Sequence, residues 1–335
     1  MNSVTKARLF DATSAFDHPV VRGFAIALAI VLVITPVIFL VLAAAGKLQP
    51  NLKKDLWDRY WSWLIFIPMM VLPVLLGAAW VIIGVGALGL ACYNEFARAT
   101  GMFRQRIISA CVVLGIIAVT LATFDNWYGL FAALAPLTMG VMAAATLLSD
   151  QPKGYIQRLA LGVLAFMLFG VCLGHLGFLA NDANYRAMIL WIIACVELND
   201  IFAYICGKSF GHRKLAPNTS PNKTLGGALG ALVLTTTLAA ILGHYVFLGT
   251  RVDQPVHLIV LGIIMSAAGQ FGDLTLSSIK RDLGIKDWAH TFPGHGGLLD
   301  RFNSLLLVAP AVFHYVGYLK GIGWGEPTRI FSGGQ

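Results

Sequence analysis

Long apolar segments separated by short polar ones form the pattern of this chain. The apolar runs are about 20 residues long, which is the length that an α-helix needs to cross a bilayer. We place ten spans, at residues 22–46, 61–77, 77–97, 107–124, 127–148, 159–180, 185–206, 225–248, 256–273 and 302–320. The pattern predicts an all-α polytopic membrane protein with about nine to ten transmembrane helices.

The run over residues 61–97 is the segment whose division is least obvious. It contains Pro68 and Pro73, and it is too long for one ordinary span and barely long enough for two. We predict a tight hairpin of two helices. An even number of spans also keeps the basic loops on one side of the membrane, which favours this division.

Basic residues concentrate in alternate loops. The loops after the first, third, fifth, seventh and ninth spans contain most of the 24 Lys and Arg residues, whereas the other loops hold Arg186 and Arg251. The positive-inside rule then places the basic loops in the cytoplasm. The N-terminal Lys6, Arg8 and Arg22 fit this topology less well, since it puts them outside. A tail lying along the interface, or a first segment that does not fully cross, are the alternatives.

Composition changes the picture by excluding other classes of protein. The chain is 58% hydrophobic and 12% charged, whereas roughly a quarter of the residues of a soluble domain are charged. The polar start, residues 1–21, does not resemble a cleaved signal peptide. The 5 cysteines lie in or at the ends of apolar segments, which indicates packing rather than disulfides or zinc. The net charge of +8 resides in short loops, so we expect anionic lipid headgroups and nucleotide phosphates, not nucleic acid, as partners.

Polar residues inside or beside apolar segments gather in the second half of the chain. We divide the sequence into an N-terminal polar tail (1–21), N-terminal transmembrane helices (22–180), a C-terminal transmembrane domain (181–320) and a C-terminal tail (321–335). The first half is almost free of buried charge. We therefore expect the active site at the cytoplasmic face of the C-terminal half.

The first polar cluster lies in the seventh span. Asp200, Tyr204 and Lys208 fall at i, i+4 and i+8 and share a helix face, with Glu197 nearby. Ionisable groups in a membrane segment are costly and usually mark a functional interior. The alternative is a lone acid tied to a neighbouring helix. The following loop, residues 207–227, is rich in Gly, Ser, Thr and Lys, which suits phosphate, but it lacks the Walker A spacing.

The second polar cluster, residues 277–303, surrounds a Pro-Gly-His-Gly-Gly turn. Its Lys and Arg residues suit phosphate groups, and its aspartates suit a divalent cation. A solvated loop held by positive-inside bias is the alternative. Both clusters follow odd-numbered spans and so emerge on one face. Asp273, Ser277 and Arg281 again lie four residues apart on a predicted helix.

At these clusters, over residues 195–305, the chain resembles the CDP-diacylglycerol synthases, or phosphatidate cytidylyltransferases. The family signature runs Ser-x-apolar-Lys-Arg, four residues, Lys-Asp, then Pro-x-His-Gly-Gly, and ends Asp-Arg-apolar-Asp. The matching residues are Ser277, Lys280, Arg281, Lys286, Asp287, Pro293, His295, Gly296, Gly297, Asp300 and Arg301. Upstream, the matching residues are Asp200, Ala203, Tyr204, Gly207, Lys208, Gly211, Pro217, Ser220, Pro221, Lys223, Thr224 and Gly227.

The resemblance implies that a phosphatidate oxygen attacks the α-phosphorus of CTP and that pyrophosphate leaves, with Mg²⁺ as cofactor; a monovalent cation and a homodimer stay open. It implies catalytic roles for Lys223, Lys280, Arg281, Asp300 and Arg301, and metal binding by Asp273 and Asp300. Substrate contacts are implied for Asp200, Tyr204, Lys208, Ser220, Thr224, Ser277, Lys286, Asp287, His295, Gly296 and Gly297. A structural role for His295 is an equal alternative. Neutralising Asp300 should abolish turnover and leave the fold nearly intact.

Three departures from the family pattern remove carboxylates. Asn303 stands where the signature usually ends in Asp, and Gly226 and Leu276 occupy positions that are usually Glu. We expect a cation site that is weaker or differently tuned. The alternatives are a cytidylyltransferase for another membrane lipid phosphate, such as an isoprenoid-type lipid, a weakened non-catalytic relative that binds lipid or nucleotide, and a lipid-phosphate transporter.

Overall fold

A computed structural model describes residues 3–46, 48–148, 150–289, 291, 296–321 and 329–333. Over these residues, ten helices are long and apolar enough to cross a membrane. The protein is therefore a multi-pass membrane protein, and the predicted all-α architecture is confirmed.

The helices and strands follow one another in a simple order. They are α1 (Ser3–Phe10), α2 (Pro19–Ala44), α3 (Pro50–Leu76), α4 (Ala78–Thr100), α5 (Arg106–Phe124), α6 (Tyr128–Leu147), α7 (Tyr155–Ala165), α8 (Leu173–Phe178), α9 (Tyr185–Phe210), β1 (Lys214–Ala216), β2 (Ser220–Thr224), α10 (Leu225–Val246), α11 (Pro255–Asp282), α12 (Leu299–Phe302) and α13 (Leu305–Lys320). The sixth span comprises α7, a π-helical segment at Phe166–Cys172, α8 and a 3₁₀ turn, and the last comprises α12 and α13.

Each predicted span coincides with one of these helical segments, but several helices extend beyond the apolar run. The third helix, α3, begins at Pro50 rather than near residue 61. The ninth span continues beyond residue 273 to Asp282, so Lys280 and Arg281 occupy its last turn. Basic side chains there are favourable because they face the negative end of the helix dipole. Hydropathy identifies the part of each helix that lies in the apolar core of the membrane. Backbone hydrogen bonding and favourable charge extend these helices beyond that core.

The hairpin predicted over residues 61–97 is confirmed. The break falls at Gly77, whose φ of 137° is a conformation that side chains rarely adopt. A Cβ at this position would also strike the carbonyl group of Leu9 in α1. Pro68 and Pro73, by contrast, lie inside α3 and do not end it.

The N-terminal tail packs against the end of the bundle opposite to the basic loops. Arg8 donates a hydrogen bond to the carbonyl oxygen of Asn181 at 3.3 Å. Arg186 donates to Ser14 Oγ and to the carbonyl oxygen of Val74, each at 3.2 Å. The first span, α2, is one unbroken helix of 26 residues. The tail is thus partly helical, and it lies beside the turns at Gly77 and residues 181–184.

Burial separates a central group of helices from a peripheral one. Of the 18 most apolar consecutive residues in the last span, 61% are buried. In the corresponding stretch of α2, 0% are buried. The seventh span, α9, packs against α10, and α11 packs against both α10 and α13. The C-terminal half therefore forms a compact bundle, and its end that carries the basic loops positions the candidate site.

Candidate active site

Two lysine–aspartate ion pairs lie along α11. Lys223, in β2, pairs with Asp273. Lys280 Nζ lies 2.7 Å from Asp300 Oδ1, in α12. Because Asp273 and Lys280 are seven residues apart, they lie on the same face of α11. One face of α11 thus contacts both the β1–β2 hairpin and α12, which we call the signature helix.

Asp273 has partners besides Lys223. Asn303 donates a hydrogen bond through Nδ2 to Asp273 Oδ1 at 2.7 Å, and Ser277 Oγ lies 3.5 Å from the same oxygen. Asn303 Oδ1 in turn accepts a hydrogen bond from the backbone N–H of Ser304 at 2.7 Å. The amide of Asn303 therefore has a defined orientation, with its nitrogen towards the carboxylate.

Asp300 connects two parts of the signature loop, which is the segment 283–298 between α11 and α12. Its Oδ2 accepts hydrogen bonds from the backbone N–H groups of Trp288 and Gly297, each at 3.0 Å. Its side chain is 8% exposed, and that of its partner Lys280 is 11% exposed. Charge-assisted hydrogen bonds of this kind are among the strong ones in proteins. Asp300 thus joins both sides of the loop to α11.

Three further charged side chains surround the ion pairs. Asp200 interacts electrostatically with Asp273, Lys223 and Arg301. Glu197, one turn earlier on α9, interacts with Asp200 and Arg301. Asp200 and Arg301 are both exposed. The site is therefore an accessible group of acids and bases supplied by α9, β2, α11 and α12.

Glu95 of α4 lies at the site, although the sequence patterns did not single it out. Its Oε1 accepts a hydrogen bond from the N–H of Leu298 at 2.9 Å, and its Oε2 accepts from the N–H of Leu299 at 2.8 Å. Thr291 Oγ1 donates to Oε1 at 3.2 Å. An acid is favourable at these amides because they form the unsatisfied N-terminal end of α12. The first half of the chain, expected to be plain, thus holds the signature helix in place.

A signal for Glu95 was present in the sequence. It is an acid near the end of an apolar span, directly before Phe96, and the cost of intramembrane charge applies to it as it does to Glu197. Trp288 of the signature loop packs on Phe96, with ring centroids 5.5 Å apart. The loop is therefore attached to α4 by both polar and aromatic contacts.

The loop over residues 207–227 contains a β-hairpin rather than only irregular backbone. Strands β1 and β2 pair antiparallel, with Lys214 opposite Thr224 and Ala216 opposite Ser220. Thr224 caps α10 by accepting a hydrogen bond from the N–H of Gly227 at 3.1 Å. Arg281 Nε donates to the carbonyl oxygen of Thr219 at 3.1 Å. The hairpin turn is thus linked directly to the end of α11.

A buried polar network joins the helices below the ion pairs. Asn199 Oδ1 accepts hydrogen bonds from Thr235 Oγ1 at 3.0 Å and from Ser266 Oγ at 2.6 Å. Gln270 Nε2 donates to Ser266 Oγ at 3.1 Å. Asn199, Thr235 and Ser266 are at most 1% exposed. The network connects α9, α10 and α11 and fixes their relative register under the site.

The predicted site residues do not all gather at the ion pairs. Asp200, Lys223, Asp273, Ser277, Lys280, Asp300 and Arg301 are brought together. Lys208 instead lies over the ring of Tyr204, 4.7 Å from its centroid, and Tyr204 is 62% exposed. Ser220 is in β2, Thr224 caps α10, and Arg281 donates a hydrogen bond to the hairpin turn. Lys286 is exposed, and Asp287 is half-buried near Gly296. Gly297 belongs to the loop that Asp300 closes, and His295 lies outside the described residues.

The three positions that lack carboxylates have different surroundings. A Cβ at Gly226 would lie 2.5 Å from the carbonyl oxygen of Phe210, so the start of α10 approaches the end of α9 too closely for a side chain. Leu276 is 1% exposed and belongs to the core. Asn303 contacts Asp273 directly. Of the three substitutions, Asn303 is therefore the one with a contact to a predicted metal ligand.

Comparison with known proteins identifies the family of this chain. A model of the cytidylyltransferase family matches residues 57–319, which begin within α3 and include α4. The chain is 37% identical to a phosphatidate cytidylyltransferase of Bacillus subtilis over 187 residues, 55% of this chain and 65% of that protein. It is 30% identical to a phosphatidate cytidylyltransferase of Rickettsia typhi over 217 residues, 64% of this chain and 92% of that protein.

A protein of Escherichia coli K12 named YnbB and described as uncharacterized is 32% identical over 199 residues, 58% of this chain and 65% of that protein. The matched region thus spans slightly less than two thirds of the Bacillus and Escherichia relatives. The family model covers most of the helical bundle and the whole signature loop. The protein belongs to the cytidylyltransferase family.

Proposed function

We propose that this protein is a nucleotidyltransferase that transfers the cytidylyl group of CTP to phosphatidate in the membrane, forming CDP-diacylglycerol and pyrophosphate. The observation that carries the proposal is the pairing of Lys223 with Asp273 and of Lys280 with Asp300 on one face of α11. Lysines suit phosphate oxygens, and carboxylates suit a hard cation. The site therefore has both kinds of group that a nucleoside triphosphate with its metal requires.

Carboxylates and phosphate oxygens are the ligands that Mg²⁺ usually takes in proteins. Asp200 and Asp273 are like charges close enough to interact, and Asp273 and Asp300 each form an ion pair with a lysine. Among the described residues, no group of three or more His, Cys, Asp or Glu side chains is preassembled for a metal. We propose that Asp273 and Asp300 hold Mg²⁺ together with the nucleotide. When bound, Mg²⁺ would offset charge on the triphosphate and the leaving group.

The basic residues would bind and orient the two phosphate groups. Lys223 and Lys280 would exchange their carboxylate partners for oxygens of the CTP phosphates, and Arg301 would hold the lipid phosphate beside them. The lipid phosphate needs no strong general base, since the second pKa of a phosphate monoester is about 6. One of its oxygens forms the new bond to the α-phosphorus as the bond to the bridging oxygen breaks. Pyrophosphate leaves with that electron pair, and positioning supplies most of the catalysis.

We further propose that the site faces the cytoplasm. Its loops contain the lysine and arginine excess, which the positive-inside rule assigns to that side. Single cysteines introduced at Lys214 in β1 and at Arg251 in the opposite loop test this. A membrane-impermeant thiol reagent applied to intact cells should label the cysteine at 251 and spare the one at 214. The reverse pattern would show the site to face outward.

Turnover is tested with the purified full-length protein in nanodiscs. CTP, Mg²⁺ and a panel of lipid phosphates are supplied, and pyrophosphate and the lipid product are measured. Phosphatidate should support turnover, and Lys223→Gln should lower it about 100-fold or more, as for other lost transition-state donors. Lys214→Gln, an exposed basic residue of the same hairpin, is the matched control. A greater rate with an isoprenoid phosphate would identify the other lipid acceptor, and no turnover with any lipid would contradict the proposal.

A non-catalytic relative is the second candidate, because Asn303 replaces a carboxylate and contacts Asp273. Fewer acidic groups weaken the hold on a hard cation. Calorimetric titration of CTP with and without Mg²⁺ separates the candidates. Binding of CTP without pyrophosphate release, over the whole lipid panel, would favour this second function.

A further inference from the structure

An apolar cavity of about 660 Å³ lies between the α3–α4 hairpin and the central helices. Its walls come from α3, α4, α8, α9, α12 and α13. The lining side chains, all in the described part of the chain, include none that is charged. Its volume falls within the range of roughly 300–1,000 Å³ that is usual for small-molecule sites. The cavity is therefore large enough for a ligand, and its apolar lining suits a hydrocarbon portion of that ligand.

Two helices lead from this cavity to the polar site. On α4, Leu88 and Ala91 line the cavity, and Glu95 follows one turn later on the same face. On α9, Ile193 lines the cavity, and Glu197 follows one turn later. Glu95 holds the signature helix, and Glu197 interacts with Arg301. Both walls thus change from apolar to charged at the same end of the cavity.

The short helix α12 separates the cavity from the ion pairs. Phe302 and the preceding Leu298 line the cavity. Asp300, between them in sequence, pairs with Lys280, and Arg301 interacts with Asp200 and Glu197. A ligand in the cavity would therefore have its end beside α12, which carries Arg301. This arrangement matches a molecule with an anionic head and an apolar tail.

The length of the cavity fits one hydrocarbon chain. Along α4 it extends from Trp80 to Ala91, and at 1.5 Å per residue this distance is about 16 Å. The apolar core of a bilayer is about 30 Å thick, so the cavity is about as long as one leaflet is deep. We propose that the cavity binds one hydrocarbon chain of the lipid phosphate and thereby sets its phosphate beside Arg301. The inference rests on the proposed function and adds the place where the lipid tail binds.

Chain-length selectivity tests this assignment. Ala87, which lines the middle of the cavity on α4, is changed to Phe, and Trp80, at the far end, is changed to Ala. With lipid phosphates of graded chain length, Ala87→Phe should raise KM for long chains by about tenfold or more relative to short ones. Trp80→Ala should shift the optimum to longer chains. Ala144→Phe, at an exposed alanine of α6 outside the cavity, is the control and should leave the chain-length profile unchanged.

Photocrosslinking tests occupancy without requiring turnover. Phosphatidate with a diazirine near the end of one acyl chain is added to the full-length protein in nanodiscs, and crosslinked peptides are identified. Crosslinks to α3 and α4 around Trp80, lost in Ala87→Phe, would support the proposal even if no lipid phosphate were turned over. Equal crosslinking by a phosphatidylcholine probe would identify a structural lipid and overturn it. Crosslinks confined to α2 and other peripheral helices, or a chain-length profile unmoved by both variants, would also overturn it.

Discussion

The side-chain amide of Asn303 donates a hydrogen bond to Asp273, with 2.7 Å between Nδ2 and Oδ1. The same carboxylate forms an ion pair with Lys223. Asn303 thus supplies a neutral donor at a position where the family usually has a second acid. The contact connects the most evident departure of this sequence to a proposed ligand of the cation.

Replacing Asn303 by Asp should strengthen Mg²⁺ binding. Without a cation, the added carboxylate would repel Asp273. With a cation bound, it would supply an additional negatively charged oxygen ligand. We expect the Mg²⁺ concentration for half-maximal activity to fall by about tenfold, in line with changes next to metal ligands. The thermal midpoint in EDTA should fall as well. Magnesium titrations of activity and melting curves provide the measurements.

Asn303→Ala is the control for this prediction, since it removes the donor and adds no charge. It should not lower the Mg²⁺ requirement. If the titration curves of wild type and Asn303→Asp superimpose, residue 303 only braces the neighbouring helices.

Glu95→Gln should loosen the signature helix. The substitution keeps one acceptor oxygen and places an NH₂ group against the N–H of either Leu298 or Leu299, so one buried donor loses its partner. We expect a loss of about 1–3 kcal/mol in the free energy of unfolding and a fall in turnover at saturating CTP. Glu95→Asp, which keeps the charge but is shorter, should be intermediate.

The neighbouring Asn94 offers a matched control for Glu95. It is exposed, and its Oδ1 accepts a hydrogen bond from Arg98 of the same helix at 3.0 Å. Asn94→Ala should leave turnover and stability nearly unchanged. Limited proteolysis should detect faster cleavage of the signature loop in Glu95→Gln. Unaltered proteolysis and turnover in that variant would refute the positioning role.

Asp300→Asn should reduce both turnover and stability. The sequence-based expectation of a nearly intact fold did not include the contacts of Asp300 with Lys280 and two backbone amides. Removing one partner of a mostly buried pair costs about 3 kcal/mol. We expect the double variant Lys280→Met/Asp300→Asn to recover part of this stability and none of the turnover. The unfolding free energies of wild type, Lys280→Met, Asp300→Asn and the double variant form the double-mutant cycle.

The cycle distinguishes a structural pair from a catalytic one. A coupling energy near zero would show that Lys280 and Asp300 do not stabilise each other in the membrane. Wild-type turnover in Asp300→Asn would exclude Asp300 from the site.

Asn199→Ala should destabilise the bundle below the site. It removes the acceptor of two buried hydroxyl groups, those of Thr235 and Ser266. Each unsatisfied buried donor costs about 1–3 kcal/mol. Thr237→Ala is the control, because its hydroxyl donates a hydrogen bond to the carbonyl oxygen of Val233, one turn earlier on an exposed face of the same helix. Denaturant unfolding in mixed micelles measures the difference, and equal midpoints for the two variants would argue against the network.

The sequence by itself determined the membrane architecture. Ten apolar runs of sufficient length could be placed because burying backbone in lipid requires continuous helices, and this requirement leaves a direct trace in hydropathy. The hairpin that turns at Gly77 followed from the length of the apolar run and from the alternation of basic loops. Charge in or beside apolar segments likewise located the two polar clusters, since such charge is rare enough to be informative.

Only the tertiary structure decided which side chains meet across the bundle. Glu95 lies about two hundred residues before Leu298 in the sequence, and nothing local to either indicates their contact. The pairing of Asn303 with Asp273, and the cavity behind α12, likewise depend on how separate helices pack. Hydropathy and motif spacing describe one helix at a time, whereas these features arise from distances between helices, which the order of residues along the chain does not specify locally.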